Sequence, residues 1–259
     1  MYFIHPKYYN FNMKKKQKIV TIFIAYNAAK TLESFYKNFP REYCDEIILV
    51  DDASKDNTFE LAKKVGIKSY KNPVNLGYGG NMKKALNLAL EDGADIIIDI
   101  HPDGEYSPSA IPEALKKIRE GSQFVLGNRF TSLIQPIKNG MYIWKLIPLR
   151  ILNSIDSLIF GVRLNDFHQG FRVYTSNMLN KVNFQENSND YLFSFELIAQ
   201  AIYNKVKISQ VPVETSYQGK KRGASLKNSI KYSLGTFKIL LLFILAKLGF
   251  KTKLFQKPI

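Results

Sequence analysis

Residues 18–52 read KIVTIFIAYNAAKTLESFYKNFPREYCDEIILVDD and contain a predicted strand, a helix and a second strand. The runs at 18–25 and 46–50 are short, apolar and rich in β-branched residues, which is typical of strands buried on both faces of a sheet. A helix is predicted between them at 28–38. Strands separated by helices in this way indicate parallel neighbours in an α/β domain.

The same alternation continues along the chain on the C-terminal side of this unit. Helices are predicted at 58–65, 79–91 and 108–120, and strands at 67–70, 95–100 and 124–127. The pattern predicts an α/β fold with a mostly parallel, doubly wound, Rossmann-like sheet. Ligands bind such sheets beyond the carboxyl ends of the strands. Four polar clusters fall at those ends and predict an enzyme site there: Tyr26-Asn27, Asp51-Asp52, 75–80 and 101–105.

Two of these clusters suit a nucleotide. Asp51 and Asp52 close a strand, and their carboxylates can accept hydrogen bonds from a base or from ribose hydroxyls. The alternative is helix capping, which Ser54 or Asp56 would also serve. The glycines of 75–80 precede a helix, where backbone N–H groups can approach a phosphate. A glycine turn that only caps the helix explains that segment equally well.

The cluster after the 95–100 strand suits a divalent cation. Asp99, His101, Asp103 and Glu105 alternate along the chain. Hard oxygen ligands with an imidazole at this spacing can hold Mg²⁺ or Mn²⁺ against a diphosphate. A solvated acidic loop is the alternative.

The net charge of +15 is concentrated at the two ends of the chain. Residues 1–18 carry five lysines and no acid, whereas residues 205–259 carry twelve Lys/Arg and one acid, Glu214. The stretch between them is close to neutral, which argues against a nucleic-acid-binding protein. An anionic membrane surface is the partner that this distribution favours.

The C-terminal sequence also favours a membrane surface. Residues 229–253 are apolar with interspersed lysines, and the uninterrupted apolar run at 239–246 is shorter than the roughly 20 residues that span a bilayer. We expect amphipathic helices that lie in the interface or pack on the body.

Three regions are predicted: a basic extension (1–17), the α/β domain (18–228) and a basic helical segment (229–259). The apolar segment 141–163 is a second membrane-surface candidate, with a core helix as the alternative.

Six segments in this order resemble family 2 glycosyltransferases of the GT-A fold. They are IFIAYNAAKTL (22–32), ILVDDASKDNT (48–58), NPVNLGYGGNMKKAL (72–86), IDIHPDGEYSP (98–108), VLGNRF (125–130) and NDFHQGFRVY (165–174). The resemblance extends from about residue 18 to 230. It is strongest to dolichyl- and polyprenyl-phosphate sugar transferases and to bacterial cell-surface glycan transferases.

The resemblance implies roles for individual residues. Asp103 and His101 would hold the metal, although His101 replaces the first aspartate of the family's D-x-D motif. Asp166, Asp103 and Arg172 would be catalytic. The nucleotide-sugar would be bound by a larger set: Ala25, Tyr26, Asn27, Asp51, Asp52, Asn75, Gly77, Gly80, Arg129 and His168.

The implied reaction is an inverting, metal-dependent transfer from a UDP- or GDP-sugar at the cytoplasmic face of a membrane. The expected acceptor is a polyprenyl or dolichyl phosphate, and the alternative is a hydroxyl of a cell-surface glycan. A hydroxyl requires a general base, for which Asp166 and then Glu196 are candidates. With a phosphate acceptor, Asp166 would instead orient His168 or Arg172. Arg129, Arg172 and the 220–222 basic cluster could then bind phosphate. A nucleotidyltransferase and a catalytically silent relative are more remote alternatives.

Overall fold

The computed structural model describes residues 16–132, 134–216 and 226–256 of the chain. Seven strands there form one sheet: β1 (Ile19–Ala25), β2 (Glu46–Asp51), β3 (Lys68–Lys71), β4 (Ile96–Asp99), β5 (Phe124–Asn128), β6 (Arg172–Thr175) and β7 (Ile208–Pro212). The helices are α1 (Ala29–Lys37), α2 (Thr58–Lys64), α3 (Gly77–Glu91), α4 (Ile111–Arg119), α5 (Gln135–Lys138), α6 (Ile143–Phe160), α7 (Ser176–Leu179), α8 (Phe193–Tyr203) and α9 (Leu226–Lys247).

The sheet confirms the predicted mostly parallel α/β architecture. Its strand order is β3-β2-β1-β4-β6-β5-β7. Only β6 among these strands runs antiparallel to its neighbours, and its register places Arg172 opposite Asp99 of β4. The five strands predicted from sequence are all present, whereas β6 and β7 carry no apolar run long enough to identify them.

Two apolar cores lie on opposite faces of the sheet, which explains why the central strands have no polar side. On β1, Ile22 and Ile24 belong to the core that contains α3, α8 and α9, whereas Phe23 and Ala25 belong to the core beneath α1 and α4. Successive strand residues point to opposite faces, so both faces require apolar residues. The doubly wound arrangement is therefore confirmed.

Helix α9 packs on the body and also presents apolar residues to solvent. Its buried face contributes Ile239, Leu240, Phe243 and Ala246 to the core. The predicted domain boundary at 228/229 falls within this helix. Its stretch from Asn228 to Lys247 is long and apolar enough to cross a bilayer by length and composition, which alone is weak evidence for a span.

The segment predicted at 141–163 forms α6, a helix with an apolar outer side. Eleven large apolar side chains of these two helices are exposed: Ile143, Trp144, Ile147, Ile151, Leu158, Ile230, Leu234, Phe237, Leu241, Ile244 and, just after α9, Leu248. We call these residues the α6–α9 apolar surface. The two helices also pack against each other through Phe160 and Phe243, whose ring centroids are 4.8 Å apart.

Candidate active site

The loops after β1 and β2 are joined by side chains, so the first predicted nucleotide-binding segments form one unit. The amide of Asn27 donates to Ser54 Oγ (2.8 Å), and Asn27 Oδ1 accepts from the amide of Lys55 (2.8 Å). Asn27 has a left-handed backbone (φ 54°), which asparagine tolerates better than most residues. Ala25 is buried at the end of β1, and the Tyr26 side chain beside it is exposed.

The two adjacent aspartates stabilise these loops from within. Asp51 is fully buried and accepts from the amide and hydroxyl of Ser54. Burial raises the pKa of Asp51, and the hydrogen bonds from Ser54 oppose that shift. Asp52 Oδ1 accepts from Asn72 Nδ2 and from the amide of Leu76, both at 2.8 Å. Both carboxylates therefore hold loops in place, and a contact with the nucleoside stays a prediction.

The glycine segment at the start of α3 packs tightly against the chain near residue 189. The amides of Gly79 and Gly80 donate to the carbonyl oxygen of Asn189, at 2.8 and 3.4 Å. A Cβ on Gly77 would lie 2.5 Å from the same oxygen. Asn75 closes the turn by donating to the backbone oxygen of Asp52 (3.1 Å). These contacts favour the capping and packing explanation for Gly77 and Gly80, and a phosphate contact by Gly77 or Gly80 stays a prediction.

The predicted metal loop combines one exposed carboxylate with a partly buried histidine. Asp103 is exposed, and its Oδ1 accepts from the amide of Glu105 (2.9 Å). His101 Nε2 lies 3.5 Å from Asp99 Oδ1, and both atoms are buried without a hydrogen-bond partner. Burial lowers the pKa of His101, but the nearby carboxylates of Asp99 and Asp103 outweigh it, so that pKa is raised overall.

Within the described part of the chain, no three His, Cys, Asp or Glu side chains converge on a point that could hold a metal. Mg²⁺ and similar ions in nucleotide sites are usually held by one or two carboxylates together with substrate phosphates. The exposed Asp103 carboxylate fits such an ion, which would bind together with a diphosphate. His101 Nε2 is buried and faces Asp99, so ligation of a metal by His101 stays a prediction.

A buried polar network lies behind this loop. Asp99 Oδ2 accepts from the hydroxyl of Tyr174 (2.8 Å) and lies 3.4 Å from Arg172 Nη1. Arg172 Nη1 is also 3.3 Å from the hydroxyl of Tyr78, which is 3.1 Å from Ser194 Oγ. Arg172 is therefore fixed by its neighbours behind the predicted metal loop.

Sequence reasoning did not assign Tyr78 or Tyr174 to the site. Tyr78 stands inside the glycine segment that was assigned to phosphate binding, so its position in the sequence was a usable signal. Tyr174 reaches Asp99 only because β6 lies antiparallel beside β4. No local pattern indicates that pairing.

On the expected acceptor side, Asp166 forms a buried ion pair with Arg129. Arg129 Nε lies 2.8 Å from Asp166 Oδ2, and Arg129 Nη2 lies 2.9 Å from Asp166 Oδ1. Asp166 is fully buried, and both of its oxygens are engaged. This geometry does not favour Asp166 as a general base. Glu196 is engaged as well, since it accepts from the amide and the hydroxyl of Ser188, both at 2.6 Å.

His168, which was predicted to help bind the nucleotide-sugar, is buried between two helices, and a contact with the donor stays a prediction. Its imidazole is 4% exposed and contacts Asp156 of α6 and Tyr232 of α9. Asp166 reaches His168 only through the backbone amide of the histidine (3.3 Å), and it does not contact Arg172 among the described interactions. The 220–222 cluster and residues 1–15 of the predicted 1–17 extension lie outside the described residues.

Comparison with known proteins identifies relatives of this chain. A model of glycosyl transferase family 2 matches residues 21–182. The chain is 28% identical over 249 residues to UDP-N-acetylglucosamine–dolichyl-phosphate N-acetylglucosaminyltransferase of Methanococcus voltae, covering 89% of this chain and 96% of that protein. It is 23% identical over 175 residues to polyprenol monophosphomannose synthase of Mycolicibacterium smegmatis, covering 64% and 65% of the two chains.

Solved structures share the fold. Glucosyl-3-phosphoglycerate synthase of Mycobacterium tuberculosis, crystallised with Mn²⁺, UDP and phosphoglyceric acid, superimposes with a TM-score of 0.66 at 16% identity. The match covers 92% of this chain and 81% of that one. The fold is thus of the GT-A type, as the sequence predicted. Because the family model covers more than half of the chain, this protein is a glycosyltransferase that belongs to glycosyl transferase family 2.

Proposed function

We propose that this glycosyltransferase transfers a sugar, with inversion, from a UDP- or GDP-sugar to a polyprenyl or dolichyl phosphate at a membrane surface. The observation that carries the proposal is the Arg129–Asp166 pair. The pair would supply a guanidinium on the expected acceptor side, and it occupies the carboxylate that would otherwise be the leading candidate for a base.

The two acceptor classes make different demands on this side of the site. A hydroxyl must lose its proton as the new bond forms, so a base has to lie within hydrogen-bond reach of it. A phosphate is already ionised and instead benefits from a nearby cation. Arg129, held by two hydrogen bonds to Asp166, would supply that cation.

On the donor side, the metal loop and the joined β1 and β2 loops would hold the nucleotide-sugar. Asp103 would bind Mg²⁺ or Mn²⁺ with the diphosphate, and His101 would be the second ligand or a donor to the diphosphate. The bound ion would neutralise charge on the departing nucleoside diphosphate. Arg172, fixed by Asp99 and Tyr78, would add positive potential behind the leaving group.

Two relatives support the choice of acceptor. The Methanococcus voltae protein is named as a dolichyl-phosphate transferase, and the Mycolicibacterium smegmatis protein as a polyprenol monophosphomannose synthase. Both names specify a lipid acceptor or product. The α6–α9 apolar surface, together with the lysines on α9, supports peripheral attachment to an anionic membrane, for which we propose the cytoplasmic face.

Binding of the donor can be tested directly by calorimetry. Wild-type protein should bind a UDP- or GDP-sugar in the presence of Mn²⁺ and bind it much more weakly in EDTA. In Asp103→Ala, donor binding should be as weak with Mn²⁺ as it is in EDTA. Thermal stability should not fall, since the side chain is exposed. Glu113→Ala, which changes a half-exposed acid on α4, is the control and should bind as the wild type does. Unchanged metal-dependent binding by Asp103→Ala would exclude this residue from the metal site.

A further inference from the structure

His168 is held on three sides by helices that are distant in sequence. Its Nε2 lies 2.8 Å from Asp156 Oδ2 of α6, and its Nδ1 lies 3.0 Å from the hydroxyl of Tyr232 of α9. The ring stacks on Phe195 of α8, with centroids 5.3 Å apart and planes inclined by 19°. The side chain is 4% exposed, so water cannot readily replace these partners.

The two hydrogen bonds specify one arrangement of the imidazole. A carboxylate only accepts, so Nε2–H donates to Asp156. In the neutral ring, Nδ1 is then the acceptor, and it takes its hydrogen from the hydroxyl of Tyr232. The chain of donors runs from α9 through His168 to α6, and it fixes the ring in both position and tautomer.

The backbone of the same residue holds the acceptor-side ion pair. The carbonyl oxygen of His168 accepts from Arg129 Nη2 at 2.7 Å. The amide of His168 donates to Asp166 Oδ1 at 3.3 Å. A displacement of His168 therefore moves an acceptor of Arg129 and a donor of Asp166 together.

We propose that His168 is a positioning residue, which fixes Arg129 for an acceptor phosphate and couples that position to the seating of α9 on the body. Only the identity of the acceptor rests on the proposed function. The coupling itself follows from the contacts of His168 with Tyr232, Asp156, Arg129 and Asp166. Helix α9 carries part of the α6–α9 apolar surface. A shift of α9 when this surface meets a membrane would therefore move His168 and, with it, Arg129.

Tyr232→Phe tests the coupling with the loss of one hydroxyl. The amides of Arg129 and His168 both donate to Asp166, so their hydrogen exchange reports directly on the ion pair. We expect both amides to exchange at least fivefold faster in this variant. Tyr203→Phe is the matched control, since it removes a hydroxyl that donates to the Ala246 carbonyl of the same helix at 3.5 Å. It should leave both amides unchanged.

A second pair of variants probes the α6 side of His168. Asp156→Ala removes the acceptor of Nε2–H and should accelerate the same two amides, whereas Asp156→Asn retains an acceptor and should restore most of the protection. With polyprenyl phosphate in vesicles, Tyr232→Phe should raise the acceptor KM about five- to tenfold and leave the donor KM unchanged.

Equal exchange in Tyr232→Phe and Tyr203→Phe would overturn the coupling. So would a loss of thermal stability in Tyr232→Phe with no selective change at Arg129 and His168. Failure of the wild type to use polyprenyl phosphate would instead overturn the proposed function, and the exchange measurement would still decide the coupling.

Discussion

At the scale of single residues, Asp166 shows how burial changes the meaning of a motif. Its place in a D-x-x-x-G-F-R segment is compatible with a base, a phosphate-orienting group or a turn residue. Its partner could not be inferred from the sequence, because Arg129 lies 37 positions earlier, on the loop that follows β5. The exposed Asp103 is the opposite case, since its place after a buried strand already predicts an accessible carboxylate.

The ion pair predicts a stability change for Asp166→Asn. The substitution leaves the charge of Arg129 buried without a counter-charge, and breaking one partner of a buried pair typically costs about 3 to 5 kcal/mol. We expect a drop of this size in the free energy of unfolding, measured by urea denaturation. Glu120→Gln is the control: it disrupts an exposed pair with Lys117 (2.9 Å) and should cost less than about 1 kcal/mol. Wild-type stability combined with a several-thousandfold loss of turnover would identify Asp166 as a base instead.

At the scale of elements, the sequence predicts individual strands and helices but not the pairing of strands that are distant along the chain. The apolar runs of β1, β2 and β4 identify them as buried strands, and the ends of α1 and α2 lie within one residue of their predicted limits. The strand β6 contributes only four residues, and its antiparallel position depends on the chain returning to the sheet after α6. The Asp99–Arg172 contact is a consequence of that return, so no spacing rule reveals it.

The start of α3 gives a prediction for Gly79→Ala. Alanine normally favours a helix over glycine by about 1 kcal/mol. Here its Cβ would meet the Ser188 carbonyl oxygen and lie 2.8 Å from Phe193 Cβ. Overpacking of this kind typically costs about 1–3 kcal/mol, so we expect a net loss of stability in thermal unfolding. Glu91→Ala, at the exposed end of the same helix, should have little effect. A stabilised Gly79→Ala would indicate that α3 can separate from the 188–189 segment and free its amides for a phosphate.

At the scale of the whole molecule, α6 and α9 have two sides with different environments. Their inner sides complete the core, which is why deleting residues 229–259 would remove Ile239, Leu240 and Phe243 and compromise folding. Their outer sides form the α6–α9 apolar surface, which a monomer in water leaves uncovered. Sequence patterning predicted an amphipathic C-terminal segment, but the inner packing of α9 on α8 required the three-dimensional structure.

Membrane attachment is therefore best tested by substitutions on the outer side. Leu234→Gln with Leu241→Gln removes two exposed leucines, and each buried leucine contributes about 1.5 kcal/mol or more. We expect roughly a hundredfold weaker binding to vesicles containing an anionic lipid, with unchanged thermal stability. Added salt should weaken wild-type binding through screening. Lys116→Gln, on α4 at the opposite face of the sheet, is the control. Unchanged vesicle binding of the double variant would exclude this surface as the attachment site.

The proposed acceptor of the sugar is a lipid phosphate. The most direct measurement supplies wild-type protein, Mn²⁺ and radiolabelled UDP- and GDP-sugars with vesicles that contain either polyprenyl phosphate or the polyprenol of equal length. We expect label to enter the organic phase with the phosphate and not with the alcohol, because the phosphate is ionised and both candidate bases are engaged. Transfer to the polyprenol, or to a glycan hydroxyl while polyprenyl phosphate stays unmodified, would contradict it.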